Sequence, residues 1–130
     1  MGMTNTRLED TPLENFTPLG GNRVPELQIE DTIVGTGDEV QKGARVTVHY
    51  TGARCNDGII FQSSKDFGDP ITFGLDQVIE GWTQGVPGMK VGGTRRLTIP
   101  SEMAYGSVRA AANIPANSDL VFDIELIAIA

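Results

Sequence analysis

Apolar residues recur at every second position through most of this chain, and one stretch breaks the rhythm. Alternation of that kind gives a strand one dry face and one wet face. Along residues 45–51, Val46, Val48 and Tyr50 share one side, and Thr47, His49 and Thr51 share the other. Along 120–129, Leu120, Phe122, Ile124, Leu126 and Ala128 share a face, while Asp123 and Glu125 mark the wetter one. Strand-like runs also cover 27–33, with Leu27, Ile29 and Ile33, and then 59–62, 71–75 and 93–99. Asn56-Asp57-Gly58 supplies a hairpin turn that tolerates positive φ. The exception carries Val78, Ile79, Trp82 and Val86 at spacings of three and four. Asp76 is placed to cap that helix, and Gly85 with Pro87-Gly88 ends it. Several antiparallel strands with one apolar face and a single short helix to cover it predict an α+β domain.

Composition narrows the function classes. At 130 residues and 39% hydrophobic content the chain can form one domain around one core. A net charge of −7 argues against nucleic acid as a partner. Arg95-Arg96, the one adjacent basic pair, falls in a strand and reads as a solvated face. The single cysteine, Cys55, excludes an internal disulfide, fits a reducing compartment and has no activating partner beside it. No apolar run approaches the roughly 18 residues of a membrane helix. Residues 1–6 formally satisfy a myristoylation pattern, but no polybasic second anchor follows. The expectation is therefore a soluble, cytoplasmic protein. Residues 1–25 are polar and lack a sustained period, so they read as a flexible tail, with Leu13 and Phe16 able to dock, ahead of a domain over 26–130.

Motifs for covalent or metal chemistry are missing. There is no G-x-S-x-G elbow, P-loop or H-E-x-x-H helix, and "GTGD" at 35–38 lacks the rest of a dinucleotide site. One His and one Cys are too few soft ligands for a transition metal. His49 lies on a polar strand face without a second catalytic candidate near it. The aromatic set Tyr50, Phe61, Phe73, Trp82, Tyr105 and Phe122 remains open to two readings: an ordinary core, or the wall of a concave apolar pocket with a few polar tips.

Five blocks in order carry a resemblance: VTVHYTG at 46–52, DGIIFQSS at 57–64, VIEGWTQGVPGMKVGG at 78–93, AYG at 104–106 and LVFDIELIAI at 120–129. From about residue 27 to 130 the chain closely resembles the FKBP-type peptidyl-prolyl cis-trans isomerases, the immunophilins. The resemblance implies a curved antiparallel sheet of five or six strands wrapped around one short helix, with the pocket between them. It implies a rotamase that accelerates rotation about X-Pro bonds without a covalent intermediate, cofactor or metal. By position, Tyr105, Ile79, Trp82, Phe122 and Gln62 match catalytic positions, and Tyr50, Phe61, Phe73, Val78 and Ile114 match substrate-binding ones. In the family, a proline ring rests on the tryptophan matched by Trp82, and the backbone N–H matched by Ile79 and the hydroxyl matched by Tyr105 bind carbonyls. Implied partners are proline-containing peptides and folding proteins, with macrolide inhibitors as further ligands; a monomer is expected. Gln62 stands where the family usually has Asp, the loop from Leu75 to Val78 is shorter by two residues, and 107–113 is rich in alanine. Gly81 weakens the helix by about 1 kcal/mol relative to alanine. Its small size suggests that it lets sheet and helix approach closely.

Overall fold

The alternating segments become strands because all but the exposed edge strand at residues 28–33 can bury side chains of one face against a shared core. The computed structural model describes residues 7–130, so the pattern at residues 1–6 lies outside the described residues. The elements are β1 (Gln28–Ile33), β2 (Arg45–Arg54), β3 (Ile60–Ser63), β4 (Ile71–Gly74), α1 (Glu80–Gly85), β5 (Thr94–Ile99) and β6 (Leu120–Ile129). They form one six-stranded antiparallel sheet in the order β1-β5-β6-β2-β3, with β4 also paired to β2. β3 and β4 take successive lengths of the same edge of β2, with Thr51 opposite Ser63 and Val48 opposite Ile71. That sharing is why a count of five or six strands describes the same sheet. Register shifts at Thr47/Val48 and Gly52/Ala53 of β2 and at Asp31/Ile33 of β1 bend the sheet, as bulges do.

The concave face holds the main core. Val46, Val48 and Tyr50 of β2, Leu97 and Ile99 of β5, and Leu120, Phe122, Ile124 and Leu126 of β6 close around Trp82 and Val86. α1 is shorter than the pattern predicts, and Asp76 does not cap it. The N-cap position is Ile79, extended at φ −59 and ψ 150, with no side-chain cap bond. The cause is a tight turn: the Gln77 N–H donates to the Gly74 carbonyl, and the chain stays bent through Val78 before the extended Ile79. The Thr83 hydroxyl, donating to Leu75 O at 2.6 Å, ties the helix to that turn.

Two expectations need correction at the other face. The described part of the 1–25 segment is packed rather than a free tail. Leu13 and Val24 join Ala53, Cys55, Ile60 and Val121 in a second, smaller apolar cluster, with Leu8, Phe16 and Leu19 against it. The segment runs beside β3, where Asp10 N–H donates to Ile60 O and Ile60 N–H donates to Thr11 O. Its ends are held by carboxylates: Asp66 accepts from the Leu8 and Glu9 N–H groups, and buried Asp119 accepts from the Val24 N–H and from Arg23. The second correction concerns the basic pair. Arg96 is not simply solvated, since it grips Asp123 at 2.6 Å and donates to the Glu14 and Asn15 carbonyls of this segment. Arg95 is buried on the opposite, core-facing side.

Candidate functional site

β2 contributes Tyr50, β3 contributes Phe61 and Gln62, β4 contributes Phe73, β6 contributes Phe122, and α1 contributes Trp82. These aromatic side chains meet edge to face. Trp82 lies 5.4 Å from Phe73, 5.5 Å from Phe122 and 5.6 Å from Tyr50, with interplanar angles of 81°, 87° and 78°. Phe61 meets Phe122 at 5.7 Å and 88°. Edge-on pairs of this kind are worth about 0.5–1.5 kcal/mol each beyond their burial. They offset an evident penalty, because the buried Trp82 indole N–H has no acceptor among the described residues. An unmet buried donor costs about 1–3 kcal/mol.

Above this cluster opens a hollow of about 480 Å³. It is lined by Tyr50, Phe61, Gln62, Phe73, Gln77, Val78, Ile79, Trp82, Tyr105 and Phe122. Both readings of the aromatic set hold in part: Tyr50, Phe61, Trp82 and Phe122 are core and pocket wall at once, partly buried Phe73 packs against them, and exposed Tyr105 belongs to the wall alone. Trp82 is only 4% exposed, yet the hollow reaches it. No Asp, Glu, Lys, Arg or His lines the hollow.

All the residues matched by resemblance are brought together here except Ile114. That side chain is buried in the core cluster instead of lining the hollow. The Ile114 N–H donates to Ala111 O, and this closed turn faces the side chain inward. Two contributors were missed. Gln77 enters the lining because the Gly74–Gln77 turn brings it to the rim. Gly52 makes room: a Cβ there would lie 2.6 Å from Phe61 and 2.7 Å from Phe122. A glycine inside an alternating strand is the signal that could have found it.

Polar groups are few and specific. The Tyr50 hydroxyl donates to Gln62 Oε1 at 2.8 Å. Burial, and then the nearby Tyr105, raise the Tyr50 pKa above its ordinary value, so the hydroxyl stays a donor. The Ile79 N–H and the hydroxyl of Tyr105, a residue 41% exposed, donate to no acceptor among the described residues. Two potential hydrogen-bond donors thus border an apolar hollow.

Other candidates fall away from this place. His49 binds Ser64 Oγ through Nδ1 at 2.9 Å and lines a separate cleft of about 420 Å³ bordered by Leu13 and Glu125. Cys55 is buried, and desolvation followed by the Asp119 charge pushes its thiol up to about 12. A thiol in that state is a poor nucleophile. No helix among the described residues is long and apolar enough to cross a membrane.

Comparison with known proteins agrees with the geometry. Residues 37–127 match the family described as FKBP-type peptidyl-prolyl cis-trans isomerase. An FK506-binding protein of Neisseria meningitidis serogroup B is 52% identical over 103 residues, covering 78% of this chain and 94% of that protein. A peptidyl-prolyl cis-trans isomerase of Saccharomyces cerevisiae is 43% identical over 106 residues, covering 80% of this chain and 76% of that protein. Among solved structures, a Pseudomonas syringae peptidyl-prolyl cis-trans isomerase superposes with a TM-score of 0.72 at 40% identity, covering 80% of this chain and 75% of that one. An aromatic hollow between a curved sheet and a short helix, in a chain related at this level, leads to one conclusion: the protein belongs to the FKBP-type peptidyl-prolyl cis-trans isomerase family and is a rotamase.

Proposed function

We propose that the hollow above Trp82 binds the proline ring and the carbonyl that precedes it, and that this chain's own residues catalyse rotation as follows. Amide resonance sets a barrier of roughly 18–20 kcal/mol. Cis and trans X-Pro forms differ by only about 0.5–1 kcal/mol. No bond is made or broken, so catalysis consists of favouring the twisted amide over the planar one. A planar amide is strongly polar and well hydrated, and twisting reduces its charge separation. A wall of Tyr50, Phe61, Phe73, Trp82 and Phe122 removes water from the planar form and penalises it more than the twisted form. In this reading the Ile79 N–H and the Tyr105 hydroxyl bind substrate carbonyls and hold the flanking chain while the amide turns. Gln62 acts through Tyr50, fixing that ring by the 2.8 Å hydrogen bond. Val78 completes the rim. Ile114, packed in the same core cluster, supports the wall.

The observation that carries this reading is an uncharged aromatic hollow bordered by two donors with no acceptor in the described protein. Substrates in this reading are proline-containing segments of folding proteins. Macrolides of the FK506 type are the corresponding inhibitors, since relatives of this chain are named for binding that compound. The test is a protease-coupled proline-peptide assay of wild type and of Tyr105→Phe. A rate enhancement that falls severalfold on loss of the hydroxyl, with unchanged folding, supports these roles. Full activity in Tyr105→Phe removes its hydroxyl from the mechanism.

A further inference from the structure

The helix that presents Trp82 should not hold its own shape. α1 has six residues, whereas isolated helices shorter than about 12–15 are marginal in water. It contains Gly81 and Gly85, has no side-chain N-cap and has no basic residue in its last turn. Its direction must therefore come from what it rests on, and that is the core-facing row of β5. Ile99 fills the space over Gly81, where a Cβ would come within 2.5 Å of it. Leu97 does the same over Gly85, at 2.7 Å. The third member of the row is Arg95, a charged residue only 8% exposed. Its NH1 donates to Gly85 O at 2.8 Å and to Pro87 O at 3.1 Å, at the end of α1 where carbonyls lack helical partners. A positive charge there also complements the helix dipole. The guanidinium is oriented from its far side by Asp31 of β1, through Nε at 2.6 Å and NH2 at 3.2 Å.

We propose that Arg95 is a positioning residue for catalysis: with Leu97 and Ile99 it forms a three-point seat that sets the angle at which α1 presents Trp82 and the Ile79 N–H to substrate. The claim rests on the isomerase reading of the hollow. It also assigns a task to the edge strand β1, whose side chains are all exposed, since Asp31 holds the guanidinium in line. Lysine cannot replace it fully, because a point charge cannot serve two carbonyls and a carboxylate in one plane.

The test uses full-length Arg95→Met, Arg95→Lys and Asp31→Asn. Each is assayed for proline-peptide isomerisation well below its own melting temperature. Acrylamide quenching of the fluorescence of Trp82, the sole tryptophan, is measured alongside. A misplacement of the order of 1 Å can cost up to about a hundredfold in rate. The expected loss in Arg95→Met is about tenfold in kcat/KM, carried by kcat, with a changed quenching constant; Arg95→Lys falls between it and wild type. Asp31→Asn moves both readouts in the same direction by less. A lowered melting temperature with wild-type kcat/KM and wild-type quenching would overturn the proposal, because a residue needed only for stability gives that pattern. If Arg95→Met does not fold, Arg95→Lys decides by the same two readouts. If wild type itself shows no isomerisation, the roles given to the hollow fail, and the quenching comparison alone decides whether Arg95 sets the helix.

Discussion

Gly81→Ala separates close packing from helix propensity by the sign of a single measurement. On an exposed helix this change would stabilise by about 1 kcal/mol. Here the new Cβ would stand 2.5, 2.6 and 2.8 Å from three side-chain carbons of Ile99. Ile99 is fully buried in the core between sheet and helix. Overpacking of that kind costs about 1–3 kcal/mol. Set against the propensity gain, a net loss of about 1 kcal/mol is expected, a fall of about 3–6 °C in melting temperature for a chain of this size. Urea unfolding followed by Trp82 fluorescence measures it, and the isomerase assay on the same samples reports whether the displaced helix has spoiled the hollow. Ile99→Val supplies the control. Alone it costs about 0.5–1.5 kcal/mol. In combination with Gly81→Ala it removes Cδ1, the nearest clashing atom, so the double variant should lie above the sum of the singles by at least about 0.5 kcal/mol. A stabilised Gly81→Ala, or strict additivity with Ile99→Val, would refute the argument that this glycine exists for contact with β5.

Three further outcomes follow from the packing of Trp82, Leu13 and Asp31. Trp82→Leu should keep the fold but lower kcat/KM by at least about tenfold, because the rigid edge-on ring contacts that shape the hollow are lost; proline-peptide turnover checks it. Leu13→Ala should cost about 2 kcal/mol or more and make Cys55 label faster with a thiol reagent, with little change in isomerase activity per folded molecule. For pH, the Arg95 hydrogen bond lowers the Asp31 pKa below 3.8. Burial pushes the Asp57 pKa upward, but the Arg54 hydrogen bonds, the Ile59 N–H and the Arg54 charge outweigh it and lower that pKa as well. Both folded values lie below the unfolded one, so this stability is present above pH 3.8 and is lost as pH falls through the folded values. Denaturant titrations from pH 6 down to about 2 should show a shallower acid limb in the Asp31→Asn, Asp57→Asn double variant than in wild type.

The sheet was legible because its signal is periodic. Val46, Val48 and Tyr50, or Leu120 through Leu126, announce a buried row regardless of what covers it. The aromatic wall was legible for the same reason, with resemblance adding the roles. What stayed hidden lacked a period. Docking of Leu13 and Phe16 was foreseen but not its place; Leu8, Leu19 and Val24 are irregularly spaced among turn residues, and the partners Ala53, Cys55 and Val121 sit on faces that alternation assigns to water. Arg95 was misjudged by its type, since a charged residue in a strand is usually solvated, and the carbonyls of Gly85 and Pro87 together with the Asp31 carboxylate explain its burial. Asp76 was judged by capping preference, while the hydrogen bond from Gln77 to Gly74 had already committed that carboxylate's neighbourhood to a turn.

The neutral wall of the hollow has a consequence for how this rotamase chooses what it acts on. With no formal charge along the lining, the hollow itself offers no ion pair by which to hold one proline segment ahead of another. Selection passes to close-range fit and to the oiliness of the flanking residues. Turnover on uncharged peptides should then change little when potassium chloride is raised from dilute to near-molar, even though the molecule as a whole carries seven excess negative charges.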